Sequence, residues 1–498
     1  MIDGSATDAV RGGVAALAGP AARRPLPPWT LTAAAGAVAA VGFGVLAGSP
    51  RPLVLMAWAV VATCVAGVAV EWGRGRIISL DVMVYAFSGL TFGARPLFLA
   101  AHAGELGSWD PAHTAQQYLG NFRAQEIVEF LSGRYPGDVG ALLVSAETIG
   151  VVFLACFVIA RISAARVRSA APGARLFPRA PAEAHVTAMI AGLALIGLAG
   201  QAYVISSVGG IGQALANLET QLTLRQSFLA FVLANCAVVA CLLWAAFGHL
   251  RGLAGLLFSA LLLETVVFAA LTGSRTRTFL PVMGVAIVVH LCRRRFRVRE
   301  ALAAILVAAM FAGMFLTLRQ VSSDRPLSEA VTSGLSNGAS LQVLANDHAT
   351  FDALVMMDAI VPERIGHQDG RRMAAGFAAV LPSAIFPEKP QQGDVWLRQQ
   401  LWGDSRQAGR PYTFPGELWL DFAWPGLVIG ALGLGFLCAR LRQPDRLTSP
   451  GQALVAGVVG IAMWELLGGT WSAGTGSLIE YGLPLGLAAV IARRAAPA

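Results

Sequence analysis

Ser227-Phe-Leu-Ala-Phe-Val-Leu-Ala-Asn-Cys-Ala-Val-Val-Ala-Cys-Leu-Leu-Trp-Ala-Ala-Phe-Gly248 contains no charged residue. As a helix rising about 1.5 Å per residue, it matches a hydrocarbon layer about 30 Å thick. It has no polar face of the kind a helix on the surface of a soluble domain keeps. The stretch is therefore read as a transmembrane helix. Similar runs flank it on both sides, at 185–206 and 252–272.

The pattern recurs along nearly the whole chain. Expected spans lie at 30–48, 52–70, 79–100, 139–161, 185–206, 227–248, 252–272, 278–292, 301–318, 416–439, 452–471 and 476–492. That makes an all-α polytopic membrane protein with about twelve transmembrane helices. Composition agrees: of 498 residues 56% are hydrophobic and only 13% charged, against roughly 25% charged in soluble domains. Mean hydropathy is +0.62. The whole chain, 1–498, reads as one polytopic domain.

The net charge of +8 does not indicate a nucleic-acid partner. The arginines sit in short segments between apolar spans, where topology places them, and form no patch with interleaved aromatics. With the N-terminus inside, inner segments carry most of them, from Arg23 and Arg24 through Arg293, Arg294 and Arg295 to Arg493 and Arg494. Short outer loops hold only Arg51, Arg225, Arg275 and Arg277. Both termini are thus expected in the cytoplasm. The run after Arg24 is too long for a cleaved leader and is read as a retained first helix. The six cysteines (Cys64, Cys156, Cys236, Cys241, Cys292, Cys438) lie in or beside apolar spans without metal-ligand spacing, so they read as small core residues.

Two outer segments are long. Residues 101–138 form a first polar loop, and 319–415 form a large extracytoplasmic loop between the ninth and tenth spans. Loops of that length usually carry function. In the second, Ala339–Ile360 and Arg371–Val380 are expected to be helical, followed by a proline-punctuated stretch at 381–390. No internal repeat is found, so an inverted-repeat transporter gains no support.

Chemistry concentrates at a few places. Leu271-Thr-Gly-Ser-Arg-Thr-Arg-Thr-Phe-Leu280 reads as a tight outward turn holding two guanidinium groups near the interface. Arginine there suits bidentate binding of phosphate, with Gly273, Ser274 and Thr276 as further donors; snorkelling to lipid headgroups is the alternative. Arg319 and Arg325 begin the large loop, and Arg95 closes the third span. Asp81, Glu147, Glu264, Glu465 and Glu480 are acids within spans, either ion-paired or part of a proton path. Asn346-Asp-His-Ala-Thr-Phe-Asp352 places His348 and Asp352 together as proton-transfer candidates or as a solvated helix face. No metal site is expected from this spacing. Pro415 opens the tenth span, with Glu417 favourably placed near its N-terminus and Asp421 one turn on.

The Gly273-Ser-Arg-Thr turn, the Pro382…Ile385-Phe-Pro-Glu-Lys-Pro390 stretch and the Pro415-Gly-Glu-Leu-Trp…Gly426-Leu-Val-Ile-Gly430 helix start together resemble the bacterial O-antigen and exopolysaccharide polymerases of the Wzy type. Many relatives carry glycine near the position of Ala423. The resemblance implies a glycosyltransferase that joins polyprenyl-diphosphate-linked oligosaccharide repeat units at the outer face of the bacterial cytoplasmic membrane. It implies no cofactor; expected partners are the lipid-linked oligosaccharide, membrane lipid, a flippase and a chain-length regulator. On that reading Arg275, Arg277, Arg319 and Ser274 bind the diphosphate, while Glu417, His348 and Asp352 are candidates for activating the acceptor hydroxyl. An O-antigen ligase would need much the same residues, and a proton-coupled transporter or flippase using the buried acids is the alternative from another class.

Overall fold

The computed structural model describes residues 51–101, 139–164, 177, 183–207, 209–210, 228–271, 275–303, 350–381, 390–391, 393–402, 412–441 and 448–494. Every described element is helical. In chain order they are α1 (Arg51–Gly73), α2 (Leu80–Gly89), a π turn (Leu90–Ala94), α3 (Arg95–Ala101), α4 (Val139–Ser163), α5 (Glu183–Ser207), α6 (Phe228–Phe247), α7 (Gly252–Leu271) and α8 (Arg275–Cys292). After them come α9 (Thr350–Asp358), α10 (Arg371–Val380), α11 (Gly393–Trp402), α12 (Phe414–Arg440), α13 (Pro450–Gly468) and α14 (Trp471–Arg494).

Among the described residues nine helices are long and apolar enough to cross a membrane, and Arg277–Cys292 is a shorter apolar helix. The expected spans at 30–48 and 301–318 lie outside the described residues, apart from the first three positions of the latter. Helices suit these segments because each backbone polar group in lipid must find its partner within its own segment.

The span expected at 79–100 is not uniformly α-helical. Ser79 caps its start by accepting the Val82 N–H, and the helix widens to a π turn at Leu90–Ala94 before resuming at Arg95. A π turn shifts side-chain register by one residue and occurs often at functional positions.

α6 is the central column. It lies against α5, α8 and α14, while α12 lies along α4 and α13 joins α8 to α14. Small residues permit the close approaches: a Cβ on Gly200 of α5 would come within 2.6 Å of the Ala234 backbone nitrogen on α6. In lipid, where helix association has no solvophobic drive, such tight van der Waals contact is what joins helices.

At the end opposite the loop helices, Glu71 pairs with Arg74 at 2.7 Å and Arg76 at 3.3 Å. Asp81 holds Arg161 from both oxygens at 2.5 Å. One expected span acid, Asp81, and Glu71 before it are thereby neutralised by arginines.

The expected helix at Arg371–Val380 forms with those bounds. Thr350–Asp358 is the described part of the expected Ala339–Ile360 helix; residues 339–349 and 382–389 lie outside the description, as does the first loop at 102–138. α9 lies on α4, and α10 lies on α14 and α12. The large loop therefore builds a helical cap over one end of the bundle.

Candidate functional site

The cap is anchored on a break in α12. Thr413, at φ 70°, caps the helix by accepting the Gly416 N–H at 3.2 Å. The helix then fails at Ala423, whose φ and ψ are 56° and −152°. Pro425 explains the location, since it lacks an N–H and its ring clashes with the carbonyl four residues back. The Trp419 and Leu420 carbonyls, whose α-helical partners would be the N–H groups of Ala423 and Trp424, lie at this break.

Residues of the loop reach both carbonyls. The Gln368 N–H donates to the Leu420 carbonyl at 3.0 Å. His367 Nδ1 lies 3.0 Å from the Trp419 carbonyl oxygen and 3.3 Å from that of Leu420. A carbonyl only accepts, so Nδ1 carries the hydrogen, and in the neutral ring Nε2 is left as the basic nitrogen. The imidazole stands edge-on to the Trp419 ring at 5.5 Å.

Glu417 and Asp421 lie one turn apart on α12, and each caps a different helix. Glu417 accepts the backbone N–H of Trp471, the first residue of α14. Asp421 accepts from Arg372 N at 3.1 Å and Met373 N at 2.8 Å, the start of α10. Both carboxylates are buried and meet the unpaired N–H groups and positive dipole end of a helix. The sequence placed Glu417 as a proton-transfer candidate; the fold commits its carboxylate to positioning α14.

α10 carries the cap's charge. Arg371 is exposed, and the Arg372 guanidinium lies 4.7 Å from the Trp396 ring centroid, a cation–π contact. Gly370, at φ 80°, leads into the helix, and a Cβ there would come within 2.8 Å of the Phe422 ring; glycine is required on both counts. Trp471 stacks on Phe414 at 6.1 Å and meets Phe377 edge-on at 5.5 Å. α10 thus carries basic side chains a few positions along the chain from His367, and aromatic ones lie against it.

A second polar group lies within the helices. Arg277 was expected to face outward as a phosphate ligand. In the structure its Nε is 3.7 Å from Glu465 and its Nη1 3.9 Å from Glu480. Asn235 Nδ2 donates to Glu480 at 3.0 Å, and Phe231 offers its ring 5.9 Å from the Arg277 guanidinium. Two acids on α13 and α14 thus compensate the charge, because a guanidinium among membrane helices needs counter-charge more than exposure. A small cleft beside them is lined by Phe231, Asn235, Thr265, Arg277 and Tyr481, among others.

The other expected residues fall apart from one another. Asp352 is buried in a two-point ion pair with Arg95, at 2.9 Å between Nε and Oδ1, rather than on a solvated face. Arg275 begins α8, with its side chain outside the described residues; Ser274, Arg319 and His348 lie outside them altogether. Asp358 ends α9, and burial pushes its carboxyl up to about 6, partly offset by a hydrogen bond from Ser145. Among the described residues no group of His, Cys, Asp and Glu is placed to hold a metal ion.

His367 escaped the sequence reading. Its signal was present in two pieces: the Asp369-Gly370 turn just after it, and Pro425, which announces a break in the helix that carries Trp419 and Leu420.

No family model matches the chain, nor does any characterised protein or solved structure compared with it.

Proposed function

We propose that this membrane protein is a glycosyltransferase that polymerises polyprenyl-diphosphate-linked oligosaccharide repeat units into a surface polysaccharide. In this reading the helical cap faces outward from the bacterial cytoplasmic membrane, as the distribution of arginines suggests. The observation that carries the reading is His367, held by the Trp419 and Leu420 carbonyls with Nδ1 protonated close to Arg371 and Arg372.

The chemistry follows from those groups. Nε2 of His367 accepts the proton of an acceptor sugar hydroxyl as it attacks the anomeric carbon of the lipid-linked donor. The bond to the diphosphate breaks, and the departing polyprenyl diphosphate gains negative charge. Guanidinium groups at the membrane interface stabilise it. Arg275 and Arg319, with Ser274, keep that assignment as proposals, and Arg371 and Arg372 join them. Arg277 is removed from the set because Glu465 and Glu480 already balance it. Aromatic rings of Trp396 and Trp471 suit the apolar faces of sugars. Flippase and chain-length regulator remain the proposed partners.

A second reading, proton-coupled translocation of a lipid-linked sugar, draws on the Ala423 break and the π turn at Leu90–Ala94, since interrupted helices line many transport sites.

Purified protein incubated with a lipid-linked repeat unit should yield a ladder of products, and His367→Gln should abolish it without changing elution of the folded protein. Transfer only to a lipid A core would identify a ligase. Substrate movement across proteoliposomes without any ladder would favour the translocation reading. Cap cysteines labelled solely from the cytosolic side would defeat the proposed orientation.

A further inference from the structure

Glu147 is used by nothing described so far. It lies eight residues into α4, a membrane helix, and is 0% exposed. Neither carboxylate oxygen has a hydrogen-bond partner among the described residues. Glu71, Asp81 and Asp352 are held by arginines, and Glu465 and Glu480 face Arg277. Among the described residues Glu147 has no such counter-charge.

The surrounding helices carry further unsatisfied polar atoms. Among the described residues Ser88 Oγ and Thr91 Oγ1, both at 0% exposure, and Trp58 Nε1 have no hydrogen-bond partner. Ser88 and Thr91 lie in or beside the π turn, which touches α4 where a Cβ on Gly150 would run into the Phe92 ring. Trp58 is on α1, the next helix across, whose Val61 closes on Gly93 of the same turn. Three adjoining segments thus bring orphan polar atoms into one membrane-embedded region. Buried polar atoms without protein partners are the usual lodging of internal water.

Charged and titratable groups on every element packed against α4 are otherwise engaged or are thiols. On α1 these are Cys64 and the arginine-paired Glu71, besides Arg51 at the first residue of the helix; on α9, Asp352 with Arg95, and Asp358 beside Ser145. On α12 they are Glu417 and Asp421, each capping a helix, together with Cys438 and Arg440. The π turn has none of its own, and on α4 itself Cys156 is a thiol and Arg161 holds Asp81. An isolated carboxylate without counter-ion or donor is strongly disfavoured in such surroundings, whereas a neutral acid is tolerated.

We propose that Glu147 is a proton-binding site inside the bundle, holding an acid proton that exchanges with water reaching the polar atoms of Ser88 and Thr91. The ligand is a proton carried by water, and the π turn supplies the local widening of the helix.

Infrared difference spectra of wild type minus Glu147→Gln, at about pH 7 in lipid nanodiscs, test it. An ordinary carboxyl is ionised at that pH. A carboxylic acid C=O band assigned to Glu147 is expected, and it should shift within minutes of transfer to deuterium oxide. Absence of the band, or a band that deuterium oxide never moves, overturns the proposal, the second outcome marking a sealed structural acid. Where Glu147→Gln fails to fold, wild-type protein treated with dicyclohexylcarbodiimide decides by peptide mass spectrometry. A Glu147 adduct formed at neutral pH supports the site, and an unmodified Glu147 counts against it.

Discussion

Arg95 and Asp352, 257 positions apart in the chain, form a two-point ion pair with the arginine fully buried. The pair ties the resumption of the helix after the π turn to the first described helix of the large loop. Phe98 covers the guanidinium at 5.3 Å. Removing one partner of a buried pair leaves an uncompensated charge, which costs about 3–5 kcal/mol. Arg95→Ala and Asp352→Ala should each sharply reduce the yield of monodisperse protein. The combined Arg95→Met, Asp352→Leu replacement should recover most of it. Thermal unfolding followed by size exclusion measures the difference.

Asp421 predicts a separable effect on the cap. Its carboxylate serves two N–H groups at the start of α10, and losing such a cap costs about 0.5–2 kcal/mol. Asp421→Ala should leave the bundle intact while raising amide hydrogen exchange in 368–378 by about tenfold. Unchanged exchange there would remove the capping role.

Ala423 holds a backbone conformation that residues with a Cβ avoid, at φ 56°. Such positions cost of order 1–3 kcal/mol, part of which Ala423→Gly regains after the greater freedom of glycine in the unfolded chain is counted. The melting temperature in detergent should rise by a few degrees. A fall would show that the break is not strained in this way.

Arg277 should behave as a counter-ion. Arg277→Ala strands Glu465 and Glu480 without their guanidinium, so folding in the membrane should suffer; adding Glu480→Gln should restore part of the loss. The separations of 3.7 and 3.9 Å and partial exposure limit the coupling to about 1 kcal/mol. A double-mutant cycle of thermal stability reads it. A phosphate ligand at this position would instead show full stability and lost activity, with no rescue by Glu480→Gln.

Asp358 predicts a pH dependence. Its folded value is raised from 3.8 to about 6, so the folded state binds the proton more tightly than the unfolded one. Its contribution to stability is therefore full below about pH 4 and is lost as pH rises through about 6. Wild-type melting temperature should fall relative to Asp358→Asn across that interval. Parallel curves would place the carboxyl in an ordinary solvated setting.

By itself the sequence determined that this is a bundle of membrane helices. That property is local: a run such as Phe228–Phe247 needs no distant residue to exclude water, and a helix pairs its own backbone. Local signals also placed Arg371–Val380 and the helix start at Pro415, because cap and proline chemistry acts within a few residues. Tertiary structure alone decided the partners. Nothing in the spacing of Arg277 announces Glu465 and Glu480, nor that of Arg95 announces Asp352, since low-dielectric surroundings join whichever opposite charges the packing brings within reach. The same holds for His367, whose proton is assigned by two carbonyls beside the Ala423 break of a helix more than fifty residues downstream.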